Sequence, residues 1–332
     1  MSSSLVFLTA RISALSDRLL TASDTERMVS AETFSEAFRV LNDISWSGVV
    51  ADAPNADDFE RVIDIGLYEI RQSLCESDIP KSLAQFLFLP FDLQNAKCTL
   101  LSFQKGKSYD DFRESLSPLG FFERKLSFRI LAGEEENTPK EAVFLKKALQ
   151  ESYLLLRDDS QDREEILSLL DAAVFRQMFR AVCATKSKIL SDFFQKQIDW
   201  ENAKKVLRNP SQERYSFLLP QEEKGFRFFS REEALKHLYS SSATSLFNEG
   251  VSLKESGRDL SLFEATAELS LLQSLFWSSR LSPLSCDTVV LFFLTKLRNA
   301  EIIRTILVGK RNKQSTTDVR KAIAHFLPFL PR

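Results

Sequence analysis

The 332-residue chain has few turn-forming residues: nine glycines and ten prolines. A turn-rich β fold draws on both at every hairpin, so their scarcity favours long helices. Its four cysteines, Cys75, Cys98, Cys183 and Cys286, are scattered and never paired as CxxC. That excludes a disulfide framework and a paired-thiolate zinc site, and fits reduced core residues in a cytoplasmic protein. The only two histidines, His237 and His325, have no Cys or His nearby at ligand spacing. Charge of one sign is also lacking: 44 Lys and Arg stand against 46 Asp and Glu, for a net charge of −2. Without a global basic excess, nucleic-acid binding has little electrostatic support. No run of about 18 apolar residues occurs, so no segment is expected to span a membrane. MSSSLVFLTARISAL has no basic leader before a long apolar stretch, so no signal peptide is expected.

Apolar residues are 44% of the chain, and 28 are Phe. That is enough for a packed core with large contacts between helices. The chain is organised around Asp287–Lys310, DTVVLFFLTKLRNAEIIRTILVGK. Val289, Phe293, Leu297, Ala300, Ile303 and Leu307 recur three and four apart, so the segment is expected to be one long helix with an apolar stripe. Asp287 suits its N-cap and Gly309 a left-handed C-cap. Lys296, Arg298, Glu301 and Arg304 in its middle argue against a bilayer span.

The centre of this helix recurs. Asn299-Ala300 has counterparts at Asn202-Ala203 and Asn95-Ala96. A charged residue stands three places before each Asn (Asp92, Asp199, Lys296) and another two places after it (Lys97, Lys204, Glu301). An acid lies 31 residues before each Asn: Asp64, Asp171 and Glu268. One fixed separation, three times over, marks an internal repeat. The expected class is all-α, with three pseudo-symmetric helical-bundle repeats at residues 1–118, 119–222 and 223–332.

Expected helices run over 3–22, 30–41, 58–75, 81–104, 138–157, 164–184, 186–207, 230–241 and 262–278, before the organising helix. Pro90 is expected to kink or divide the one over 81–104. Thr138 is expected to cap the next, with Pro139 at its first position. Ser230 and Glu233 form a candidate capping box, and Ser315–Asp318 is expected to cap a last short helix. The turn of the first hairpin falls near Ile79, midway between Asp64 and Asn95. Acid and amide are therefore expected at similar heights on antiparallel helices. The pairs Asp64–Asn95, Asp171–Asn202 and Glu268–Asn299 are expected to meet, directly or through a neighbouring Lys or water. The alternative is that these residues only keep register.

Chemistry-bearing motifs are weak. Gly106-Lys107-Ser108 ends like a phosphate loop, but the earlier glycine position is Leu101 and the segment follows a helix. It reads as a helix C-cap. Asp158-Asp159-Ser160-Gln161-Asp162 is a DDxxD string of the kind that holds magnesium on diphosphate in prenyl-transfer enzymes. No second Asp-rich motif accompanies it, since Asp110-Asp111-x-x-Glu114 is a poor substitute. No catalytic residue, cofactor site or metal site is assigned. The nearest thing to a site is the basic run Arg304, Lys310, Arg311 and Lys313, continued by Arg320 and Lys321, against Asp318 alone. It suits acidic protein loops or lipid headgroups, or is a solvated helix end.

The segments LTARISALSDRLL (8–20), FDLQNAKCTLLSFQKGK (91–107), IDWENAKKVLR (198–208) and LTKLRNAEIIRTILVGKRN (294–312) resemble the C-type stalk component of the prokaryotic V-type (A/V-type) ATPases, a family related to the d-type component of the eukaryotic vacuolar enzyme. The resemblance covers the whole chain; Lys296, where the other copies carry Asp, departs from its symmetry. It implies a funnel of three helical domains that catalyses nothing and binds no nucleotide. Its implied partners are the proteolipid ring and the central-shaft subunits, on the cytoplasmic face of the membrane. Its implied role is to couple shaft rotation to ring rotation, and so ATP hydrolysis or synthesis to proton or sodium transport. A helical scaffold for an unrelated partner is the rival reading, with a DDxxD enzyme behind it.

Overall fold

A computed structural model describes residues 3–47, 59–134, 138–157, 163–208, 215–217, 227–229, 252, 256, 271–273 and 275–324. The helices are α1 (Ser3–Leu15), α2 (Ala22–Ser30), α3 (Phe34–Asp43), α4 (Phe59–Glu76), α5 (Lys81–Gln104), α6 (Leu126–Leu131), α7 (Val143–Leu156), α8 (Arg163–Thr185) and α9 (Lys188–Arg208). After them come α10 (Cys286–Arg311) and α11 (Thr316–Ile323). Residues 271–273 and 275–281 are also helical. The fold class is all-α. A two-stranded antiparallel pair, β1 (Tyr215–Phe217) with β2 (Arg227–Phe229), is a minor addition.

The chain forms two compact units, Met1–Pro80 with Leu260–Arg332, and Lys81–Asp259. This partition differs from the threefold division of the sequence pattern. The turn between α4 and α5, expected inside one hairpin, is where the two units meet in sequence.

In the first unit α10 is the central element and touches α1, α2, α3, α4 and α11. Its burial explains why. Beyond the expected stripe, Val290, Phe292, Lys296, Asn299, Ile302 and Ile306 are buried as well, whereas Leu297 is only partly so. A helix buried on two faces is an interior helix. In the second unit α8 packs against both α5 and α7. Aromatic pairs span its elements: Phe86 meets Phe194 edge-on at 5.4 Å, and Phe103 meets Phe128 and Tyr153 at 5.6 and 5.3 Å. Each such pair adds about 0.5–1.5 kcal/mol beyond its buried area.

Several helix ends correct the sequence expectation. The first helix stops at Leu15, passes through a 3-10 turn and ends in extended Leu19, because Thr21 and Asp24 form a capping box that starts α2. The second and third helices break at residues 31–33 for the same reason, with Thr33 and Glu36 as the box. Thr138 caps no helix; Pro139 is extended and a 3-10 turn leads into α7. α5 runs unbroken through Pro90, which is exposed. Ser285, not Asp287, caps α10 by accepting from Thr288 N, while buried Asp287 accepts from Ser278 Oγ at 2.7 Å. Ser315 caps α11 as expected, accepting from Asp318 N at 3.1 Å. The candidate cap at Ser230 and Glu233 lies outside the described residues.

The ends of α5 and α10 share one geometry. Lys107 N–H donates to Ser102 O and Gly106 N–H to Phe103 O, with Gly106 left-handed at φ 71°. Likewise Gln314 N–H donates to Gly309 O and Lys313 N–H to Lys310 O, with Lys313 left-handed at φ 55°. Both are Schellman caps. Gly309, the expected cap, is instead a buried helical residue: a Cβ there would lie 2.7 Å from Val319 Cγ2 of α11. It is the small residue that lets α11 close on α10.

Candidate functional site

The repeated polar positions of the long helices are built as clamps on neighbouring backbone. In α5, Asp92 is buried, and its two carboxylate oxygens accept from Phe121 N–H at 2.7 Å and Phe122 N–H at 3.2 Å. One turn on, buried Asn95 accepts from Ser117 N–H at 2.7 Å and donates to Ser117 O at 3.0 Å. Residues three apart share a helix face. Together they fix the segment 117–122 against α5. Gly120 lies so close that a Cβ would collide with the Asp92 carboxylate.

The third copy uses the same positions with the charge inverted. Lys296 is fully buried, and its Nζ donates to Arg18 O at 2.8 Å. Its ammonium also stands 3.4 Å from the centre of the Trp46 ring, a cation–π contact. Asn299, oriented to satisfy both ends of its amide, accepts from Leu20 N at 2.7 Å and donates to Thr295 O at 3.1 Å. An Asp takes backbone N–H groups and a Lys takes a backbone carbonyl. The sign of the side chain thus follows the sign of the group it holds, and the departure at Lys296 is explained by its partner.

Burial pushes the Lys296 ammonium down to about 7, with the Arg18 cation pushing the same way and Glu69 opposing. Trp46, whose indole N–H donates to Ile63 O at 3.4 Å, is itself fully buried. A Cβ on Gly66 would collide with it, so Gly66 is the floor under the ring. These contacts are the ones that sequence reasoning missed. The signal was present: a charge at the third position before each Asn lies on the same face as the amide.

In the second copy Asp199 and Asn202 are both buried on α9. Asp64 is exposed on α4. Asp171 of α8 forms an ion pair with Lys97 of α5, which joins a residue of copy two to one of copy one. Glu268 lies outside the described residues. The amides of Asn95 and Asn299 are therefore met by loop and helix backbone, which the within-hairpin pairing did not foresee.

The basic group divides in two. Arg304 Nε donates to both Glu60 carboxylate oxygens, at 2.9 and 2.8 Å, tying α10 to α4. Lys310 Nζ donates to Val29 O at 2.7 Å and Ala31 O at 2.6 Å, satisfying carbonyls at the end of α2. Burial lowers the Lys310 pKa from its ordinary value, with Glu36 opposing. Arg311 and Lys313 are exposed. Arg320 pairs with Glu26, whose carboxyl is held below its ordinary pKa mainly by that bond.

Gly106-Lys107 is a helix cap, as its sequence context indicates. The Asp158–Asp162 string lies outside the described residues. Among the described residues, no group of three or more His, Cys, Asp or Glu is placed to hold a metal ion.

No curated protein matches the chain. The family model described as the ATP synthase (C/AC39) subunit matches residues 8–322, which takes in the Arg18–Leu20 segment, both described clamps and all the long helices. The chain therefore belongs to the ATP synthase (C/AC39) subunit family of the V/A-type rotary ATPases.

Proposed function

We propose that the chain is the central-stalk adaptor of a membrane rotary V-type ATPase. It links the central shaft to the proteolipid ring and passes torque between ATP hydrolysis or synthesis and proton or sodium transport. The observation that carries this reading is the family match over residues 8–322. Families of this kind supply accessory, generally non-catalytic subunits of the rotary enzyme. No helix among the described residues is long and apolar enough to cross a membrane. Attachment on the cytoplasmic face through protein partners is part of the proposal. So is the threefold division of the chain, which the matching clamps at 92/95 and 296/299 support.

Torque transfer asks for stiffness, and the clamps supply it locally. A buried charge held by backbone has one good geometry and loses heavily in any other. The test is to isolate the tagged full chain from its native membranes and identify what accompanies it by mass spectrometry. Recovery of proteolipid ring and shaft subunits is expected. Recovery of neither, in mild detergent at low salt, overturns the reading.

A further inference from the structure

In the first unit a cavity of about 670 Å³ opens between the α2–α3 turn and the α10–α11 turn. Its lining carries three cations, Lys310, Arg311 and Lys313, and one carboxylate, Glu32, with the Glu36 and Asp318 carboxylates at the adjoining helix starts. Lys310 is committed to the Val29 and Ala31 carbonyls, so it shapes the wall as well as charging it. Lys313 stands exposed at the left-handed position of the α10 cap, a place where glycine carries no steric cost. A lysine held in that conformation is strained locally.

The helix starts beside the cavity are already closed. Glu36 accepts from Glu32 N and Thr33 N, and Asp318 is hydrogen-bonded to Ser315 Oγ. At the α3 start the Glu32 and Thr33 N–H groups face a resident carboxylate, and at the α11 start Asp318 N–H is taken by Ser315 Oγ, so the cavity presents positive side chains, exposed Lys313 foremost, rather than these N–H groups. The volume lies in the range of ordinary ligand pockets. We propose that this cavity docks an acidic polypeptide segment, a run of Asp or Glu side chains on a neighbouring subunit. The proposal rests on the adaptor reading and names the chemistry of one of its contacts.

Lys313 offers a clean test, because Asn and Asp both tolerate the left-handed conformation and differ in charge. The tagged full chain with Thr316→p-benzoylphenylalanine is produced in its native cells, alone and combined with Lys313→Asn or Lys313→Asp. After irradiation of the membranes, adducts are mapped by mass spectrometry and co-purified subunits are counted separately. The expected adduct is an Asp/Glu-rich segment of another subunit. Its yield should fall about tenfold in Lys313→Asn, as for loss of one charge-assisted contact, and further in Lys313→Asp. Thermal unfolding of the Asn variant should be no lower than that of the parent. Equal yields in all three, an adduct to a segment without acidic excess, an adduct to lipid, or no polypeptide adduct overturns the docking proposal. Unaltered recovery of ring and shaft subunits alongside any of those results leaves the adaptor reading standing. Loss of those subunits from the parent chain itself overturns the adaptor reading.

Discussion

Lys296 concentrates the energetics of the first unit on one atom. Its Nζ is buried, faces an aromatic ring and a carbonyl, and titrates near 7 rather than near 10.5. The unfolded chain therefore binds one more proton than the folded chain between about pH 7 and pH 10.5. Stability contributed at this site rises with pH through that window and is flat below it. We predict that the urea midpoint climbs from pH 7 to pH 10, and that Lys296→Met flattens much of the climb. Lys310, also lowered by burial, retains part of it. A slope unchanged by Lys296→Met would mean that the ammonium is not desolvated in solution. At the matching position of the second unit, Asp92→Ala strands two backbone N–H groups. A loss of about 2–3 kcal/mol is expected by chemical denaturation. Asp92→Asn keeps an acceptor and should cost about half as much.

Elements show where sequence reading succeeds and where it stops. The existence and type of the long helices were legible, because apolar spacing over twenty or more residues has one explanation. α5 agrees with its expected ends, and Ser315 caps α11. The ends of α1, α2, α7 and α10 were less legible, since several Ser, Thr, Asp and Gly residues compete as local signals and tertiary contacts choose among them. Gly309 and Lys313 illustrate the choice. A glycine beside the last lysines looks like a cap. The approach of Val319 instead requires it inside the helix, so the cap moves to a lysine. Two outcomes follow. Lys313→Gly should stabilise the chain by about 1 kcal/mol, through relief of the left-handed lysine. Gly309→Ala should destabilise it by about 1–3 kcal/mol by forcing α11 away. Thermal unfolding of the two variants measures both, and the same sign for the pair would contradict the assignment. The clamps were half legible. Their side chains were marked by repetition, but their partners are backbone groups that can lie far away in sequence, as with Lys296 and Arg18, and a backbone carbonyl has no signature in a sequence.

For the whole molecule the governing fact is that the first unit is assembled from both ends of the chain. α1, α2, α3 and α4 all pack on α10, so each draws support from the far end of the chain, although α2 and α3 also pack on each other. We predict that deletion of residues 286–332 removes slow hydrogen exchange from α1–α4, while α5, α7 and α8 keep theirs within the continuous second unit. Persistent protection in α4 after the deletion would show that the N-terminal helices support one another without α10. The family assignment was reachable from sequence because its segments are spread over the whole chain. The two-unit partition was not, because the repeat period runs across it.

That split has a cost during biosynthesis. Leu8, Leu20, Met28 and Phe38 leave the ribosome early, yet the α10 helix that completes their unit is translated only about 250–300 codons later. At about 5–20 residues per second this is a wait of roughly 12–60 s. Through that interval the second unit can complete its own core while an apolar N-terminal segment stays uncovered. A nascent chain of this design is therefore a natural client of ribosome-associated chaperones, and a late stop codon would strand its beginning rather than its end.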